Sequence, residues 1–167
     1  MHAAILALIF LATVAAMELF AYVMHRWIMH GPGWFLHASH HRLRTGLFEW
    51  NDLYGVIFAV PSVVLIWLGV RSGWGDAATA VGAGIAGYGM IYFGFHDWIV
   101  HRRLPHRIIP KSAYFKRIVQ AHRLHHAVES KHGAVSFGFL VAPPLDVLNE
   151  QLRNSPGARL RRPQPQG

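Results

Sequence analysis

Apolar residues fill three long runs of the chain, and polar residues crowd the segments between and after them. The first run covers residues 3–24, 22 positions interrupted only by Glu18. About 20 consecutive apolar residues cross the hydrocarbon core as a helix, so this run predicts a membrane span. It has no basic leader, and it exceeds the apolar stretch of a cleaved signal peptide. A second span is predicted over residues 53–70 with Pro61 inside it, and a third over 77–95. The third holds Gly82, Gly84, Gly87, Gly89 and Gly94, small residues that let membrane helices approach closely. Residues 107–127 have the amphipathic period of a helix lying at the membrane surface. The apolar stretch 135–142, closed by Pro143 and Pro144, is too short to span and predicts an interfacial or re-entrant piece, or half of a fourth span. The pattern gives an all-α, polytopic membrane protein with three or four transmembrane helices. One domain is expected over residues 1–150, followed by a disordered basic tail over 151–167.

Composition agrees with that pattern. Hydrophobic residues make up 53% of the 167 positions and charged residues only 14%, which excludes a disordered chain and an ordinary water-soluble enzyme. Cysteine is absent, so disulfides, thiolate metal sites, iron–sulfur clusters and cysteine nucleophiles are excluded. The net charge of +8 is placed by topology and needs no nucleic acid. Arg26, Arg42 and Arg44 lie between the first two spans, and Arg102, Arg103, Arg107, Lys111, Lys116, Arg117, Arg123 and Lys131 follow the third. Basic loops mark the cytoplasmic side, so the amino terminus is expected outside and the carboxyl-terminal segment inside.

Histidine carries the candidate chemistry. Of 13 histidines, ten form four boxes in a repeated order. His25 and His30 make an H-x4-H box, and His37, His40 and His41 an H-x2-H-H box. His96 and His101 repeat the first spacing, and His122, His125 and His126 the second. On an α-helix, positions i, i+3 and i+4 share a stripe about 100° wide, so each H-x2-H-H box aims its imidazoles at one place. The i, i+5 spacing is less tidy, because about 140° separates the two residues, and they serve one metal only where the helix is distorted. By the topology above, all four boxes fall at the same membrane face. Neutral imidazole binds iron, zinc, copper and nickel. Ten nitrogens exceed one ion's shell but suit two ions at about five each, and paired metals are an established catalytic device. His2, His106 and His132 stand outside the boxes. Asp97, Asp52, Asn51 and Glu18 are candidates to orient ligating imidazoles or to act beside them. Trp27, Trp34, Phe35, Trp50, Tyr54, Tyr92 and Trp98 are candidate lining for an apolar substrate or interfacial anchors.

This order of boxes in a small multispan protein resembles the membrane fatty acid hydroxylase and sterol desaturase superfamily. Within it, the flanking residues are most similar to the bacterial β-carotene 3-hydroxylases: Ser39-His40-His41, Phe48-Glu49, Asn51-Asp52-Leu53-Tyr54, His96-Asp97, Ala121-His122-Arg123 and Ser136-Phe137-Gly138-Phe139-Leu140. The resemblance covers residues 1–150. It implies a di-iron, O2-dependent monooxygenase whose ligands are the ten box histidines, with zinc able to occupy the site in purified protein. The electrons come from a reduced ferredoxin supplied through an NAD(P)H-dependent reductase. The implied reaction hydroxylates C3 of each β-ionone ring of β-carotene, giving β-cryptoxanthin and then zeaxanthin. The basic residues Arg102, Arg103, Arg107, Lys111, Lys116 and Arg117 are then a candidate docking patch for an acidic donor. The same chemistry on another membrane lipid, whether fatty acyl, sphingolipid or sterol, is the nearest alternative. A histidine-lined metal transporter is a distant one, because transport sites favour the bilayer midplane.

Overall fold

The computed structural model describes residues 2–44 and 46–161. Helix α1, His2–Val23, runs without a break into a π-helical segment, Met24–Met29, and the short α2, Trp34–His37, follows. Helix α3 is Asp52–Arg71 and passes through Pro61. Helix α4, Asp76–Tyr92, again continues into a π-helical segment, Phe93–Val100. Helices α5, Ala113–His126, and α6, Leu145–Arg153, complete the described elements, and no strand occurs among the described residues. Among the described residues, three helices, His2–Met29, Asp52–Arg71 and Asp76–Val100, are long and apolar enough to cross a membrane. The stretch 135–142 is not helical, and Val135, Ser136, Phe139 and Ala142 are buried in it. Three spans remain, and the half-span reading gives way to a loop whose carbonyls have another use, described below.

The chain divides into two compact units: residues 1–21 with 52–106, and residues 22–51 with 107–167. The first holds the spans. Its α4 glycines sort by direction. Gly82 faces α3, where Ser62 Oγ donates to its carbonyl at 2.7 Å. Gly84 and Gly87 face α1, against Thr13 and Phe10. A Cβ on Gly84 would lie 2.6 Å from Thr13 Cβ and 3.0 Å from the Phe10 carbonyl oxygen, so the backbones meet too closely for any side chain. Gly84→Leu is expected to destabilise the protein by about 1–3 kcal/mol through overpacking, read as a lower unfolding temperature in detergent, whereas Gly89→Ala, at an open position, leaves it unchanged.

The second unit is built on α5 and α6 with the loops around them. Ser112 caps α5 by accepting from the Phe115 N–H at 3.2 Å. One face of α5 buries Ile118, Val119, Ala121, His122 and His125, and Leu148 of α6 is fully buried. The tail expected to be disordered over 151–167 carries structure over 151–161. Helix α6 ends at Arg153, and Leu160 pairs antiparallel with Val128. Residues 162–167 lie outside the described residues.

Candidate metal centre

Each H-x4-H box ends a span inside a π-helical segment, and that answers the awkward spacing. The His30 N–H donates to the His25 carbonyl at 3.0 Å, and the His101 N–H to the His96 carbonyl at 2.9 Å. The i→i+5 bond of a π-turn therefore closes between the two histidines of each box, bringing onto one face residues that a straight α-helix would separate. Their rings lie 5.3 Å apart, centre to centre, in the first box and 4.4 Å in the second.

In the second unit five imidazoles converge. His25 and His30 come from the π-turn, His37 from α2, His41 from the turn after it, and His125 from α5. Their Nε2 atoms form a tight set: 3.1 Å from His25 to His37, 3.2 Å from His37 to His41, 3.1 Å from His41 to His125 and 3.2 Å from His125 to His30. The opposite nitrogens are all engaged. Nδ1–H donates to the carbonyls of Phe137 from His25 at 3.0 Å, Lys131 from His30 at 2.9 Å, Val128 from His41 at 2.7 Å and Val135 from His125 at 2.8 Å. His37 Nδ1–H donates to Asn51 Oδ1 at 2.7 Å. A carbonyl oxygen only accepts, so each Nδ1 holds the proton and each Nε2 presents a lone pair to the same point.

Five lone pairs at this distance cannot hydrogen-bond one another; they need a cation. A transition ion bonds imidazole at about 2.1 Å, which sets neighbouring nitrogens about 3.0 Å apart in an octahedral or square-pyramidal shell and about 3.4 Å apart in a tetrahedral one. The observed 3.1–3.2 Å and the five donors favour the higher coordination number. Burial holds His37 and His125 well below the ordinary imidazole pKa, and moves His30 down to about 4. Neutral imidazole is the ligating form, so these rings are ready for metal at neutral pH. Trp34 and Phe137 lie against the cluster, with ring centres 5.1 Å and 5.2 Å from that of His30, and keep water from one side of it.

The other box histidines are grouped within each unit. In the second unit, His40, His122 and His126 offer ring nitrogens within 4.8 Å of one another, and His40 Nδ1 is paired with Glu49 Oε2 at 2.8 Å. In the first unit, His96 and His101 offer nitrogens within the same limit, and His96 Nδ1 lies 3.0 Å from Asp97 Oδ1. The three histidines outside the boxes lie outside these groups. His2 pairs with Asp76 at 2.9 Å, His106 donates to the Ile99 carbonyl at 3.2 Å, and His132 is exposed.

The match to known proteins decides the kinship. A model of the fatty acid hydroxylase family fits residues 10–149. The chain belongs to the fatty acid hydroxylase family. Curated relatives in this family include the β-carotene hydroxylase of Pantoea ananas, 52% identical over 92% of this chain and 86% of the relative. The β-carotene hydroxylase of Paracoccus sp. (strain PC1) is also 52% identical, over 89% of this chain and 91% of the relative. A chloroplastic β-carotene hydroxylase of Capsicum annuum is 39% identical over 76% of this chain and 40% of the relative. No solved structure matches the chain.

In this member of the fatty acid hydroxylase family, the polar candidates divide by partner. Asn51 and Asp97 each hold the Nδ1 side of a box histidine. Asp52 pairs with Arg103 at 2.7 Å, and Glu18 accepts from the Tyr88 hydroxyl at 2.8 Å. Glu49, on His40, is a partner that spacing alone did not single out; its signal is a carboxylate eight residues after a box histidine in a polar loop. The four carbonyls of residues 128–137 leave no trace in side-chain identity. Among the aromatic candidates, Trp34 meets the cluster, while Trp27 and Trp50 are exposed.

Proposed function

We propose that this protein is a di-iron monooxygenase that hydroxylates C3 of each β-ionone ring of β-carotene, through β-cryptoxanthin to zeaxanthin. The observation that carries the reading is the set of five Nε2 lone pairs 3.1–3.2 Å apart, in a chain 52% identical to bacterial β-carotene hydroxylases. His25, His30, His37, His41 and His125 are the proposed ligands of one iron, and the remaining box histidines are left as candidates for the second. When bound, the iron pair supplies the redox chemistry with O2 that no acid, base or nucleophile in the chain provides.

The overall reaction joins C–H, O2, two electrons and two protons into C–OH and water. The one G-x-G-x-x-G string, Gly82 to Gly87, lies inside the α4 span with its glycines packed on neighbouring helices and not at a strand-to-helix turn, and cysteine is absent, so a separate donor supplies the electrons. The proposed donor is a reduced ferredoxin served by an NAD(P)H-dependent reductase. Arg102, Arg107, Lys111, Lys116 and Arg117 are exposed and carry the charge to meet an acidic partner. Arg103 drops out of that patch, because Asp52 at 2.7 Å and Asp97 at 3.3 Å hold its guanidinium. The positive-inside rule places these residues and the boxes at the cytoplasmic face of a bacterial inner membrane. The rest of the protein's part is to fix imidazole orientation through the Nδ1 partners and to shield the cluster with Trp34 and Phe137.

Expression in cells that accumulate β-carotene tests the proposal. Conversion of the pigment to β-cryptoxanthin and zeaxanthin is expected. Unchanged β-carotene alongside correctly inserted protein contradicts it, and oxygenation of an acyl lipid in the same cells would redirect the substrate assignment.

A further inference from the structure

We propose that residues 155–161, which lie beyond the segment matched by the family, form a strap that sets the His30 and His41 imidazoles, with Arg161 as its positioning residue. The inference rests on reading the five-histidine cluster as a metal site. The strap runs antiparallel to residues 127–133. The Glu129 N–H donates to the Arg159 carbonyl at 2.8 Å, and the Arg161 N–H to the Ala127 carbonyl at 2.8 Å, on either side of the Val128–Leu160 pair. Ser130 Oγ accepts from the Arg159 N–H at 2.9 Å and lies 2.9 Å from the Gly157 carbonyl oxygen. At the far end, Gly133 has φ +93°, and a Cβ there would stand 2.6 Å from Ala158 Cα. The two segments touch backbone to backbone along their length.

What the strap braces is the source of two imidazole acceptors. Val128, fully buried, gives its carbonyl to His41 Nδ1–H, and Lys131 gives its carbonyl to His30 Nδ1–H. Arg161 adds a direct hold. Its Nη2–H donates to the carbonyl of His41 itself at 2.8 Å, while its Nε lies 3.3 Å from Glu129 Oε1. His41 is thereby gripped twice, at its ring through Val128 and at its backbone through the guanidinium. A planar fork suits two acceptors at once, which an ammonium cannot match. Partners outside the ligand set hold imidazoles in register, and losing one typically lowers metal affinity about 10–100-fold.

The test compares full-length wild type, Arg161→Ala, Arg161→Lys and Arg159→Ala, purified in detergent and titrated with Co2+ as the probe. Wild type is expected to take up Co2+ with ligand-field bands of nitrogen coordination. Arg161→Ala should weaken the tighter Co2+ event about tenfold and shift its bands, and Arg161→Lys should recover part of the loss. Arg159→Ala removes the same charge from an exposed side chain of the strap and should match wild type. Gly133→Ala, which pushes the strap away without touching Arg161, should reproduce the weakening if Arg161→Ala folds poorly. Wild-type Co2+ affinity and spectrum in Arg161→Ala would overturn the positioning role, as would lowered apo stability with unchanged affinity. Failure of wild type to bind Co2+ would instead overturn the metal reading on which the inference stands.

Discussion

Alanine at His125 is expected to abolish hydroxylation. The His125 imidazole is fully buried, and its Nε2 stands 3.1 Å from that of His41 and 3.2 Å from that of His30, in the middle of the set. Removing it leaves a gap that no other nitrogen fills and an acceptor-only Val135 carbonyl without its donor. Loss of an outer partner alone costs about 10–100-fold, so loss of a ligand should take activity beyond a hundredfold down, to background. His41→Ala should do the same, since its Nε2 touches two others in the set. His2→Ala, His106→Ala and His132→Ala should largely spare the reaction, because none of these rings joins the groups. Pigment analysis with immunoblotting of the inserted protein separates lost chemistry from lost protein. Full activity in His125→Ala would show that the converging nitrogens are not the ligands.

The second large effect is expected at Ser136, a residue outside the boxes. It is buried and has φ +58°, in the left-handed region that non-glycine residues rarely occupy. That turn points the two flanking carbonyls at different imidazoles: Val135 to His125 at 2.8 Å and Phe137 to His25 at 3.0 Å. Regular extended backbone would send both to the same side. Ser136→Val adds a branched Cβ where φ is positive, at a cost of about 1–3 kcal/mol, and relief of that strain withdraws both acceptors. Activity and metal content should both fall sharply. Ser136→Gly keeps the turn at no steric cost and should retain both. Equal metal content in the valine and glycine variants would rule out this role.

These expectations show what side-chain identity announces and what it hides. The spans and the ten box histidines could be read directly, because apolar run length and i, i+3, i+4 spacing are properties of the sequence itself. The H-x4-H boxes held a quieter signal. Five-residue spacing at the end of two spans is the register of an i→i+5 bond, but only backbone geometry shows that His25 and His30, and His96 and His101, close that turn. The carbonyls of Val128, Lys131, Val135 and Phe137 had no signal at all, since every residue carries one. They also explain why an apolar stretch that read as an interfacial or re-entrant piece, or half a span, is a loop: a helix would have consumed the carbonyls that the imidazoles require. The Arg- and Pro-rich composition after residue 150 pointed to disorder, yet backbone pairing with residues 127–133 orders it as far as Arg161. Asp52 and Glu18 were placed near the boxes by sequence position, and the structure gives each a partner outside the boxes, the Arg103 guanidinium and the Tyr88 hydroxyl.

The central claim is that the ten box histidines hold two metal ions. Elemental analysis of the purified, folded protein tests it most directly, with His125→Ala analysed beside it. Two ions per chain are expected in wild type, with iron required for turnover and zinc able to fill the site without activity, and fewer ions in the variant. Well-folded wild-type protein that retains one ion or none after iron loading would contradict it.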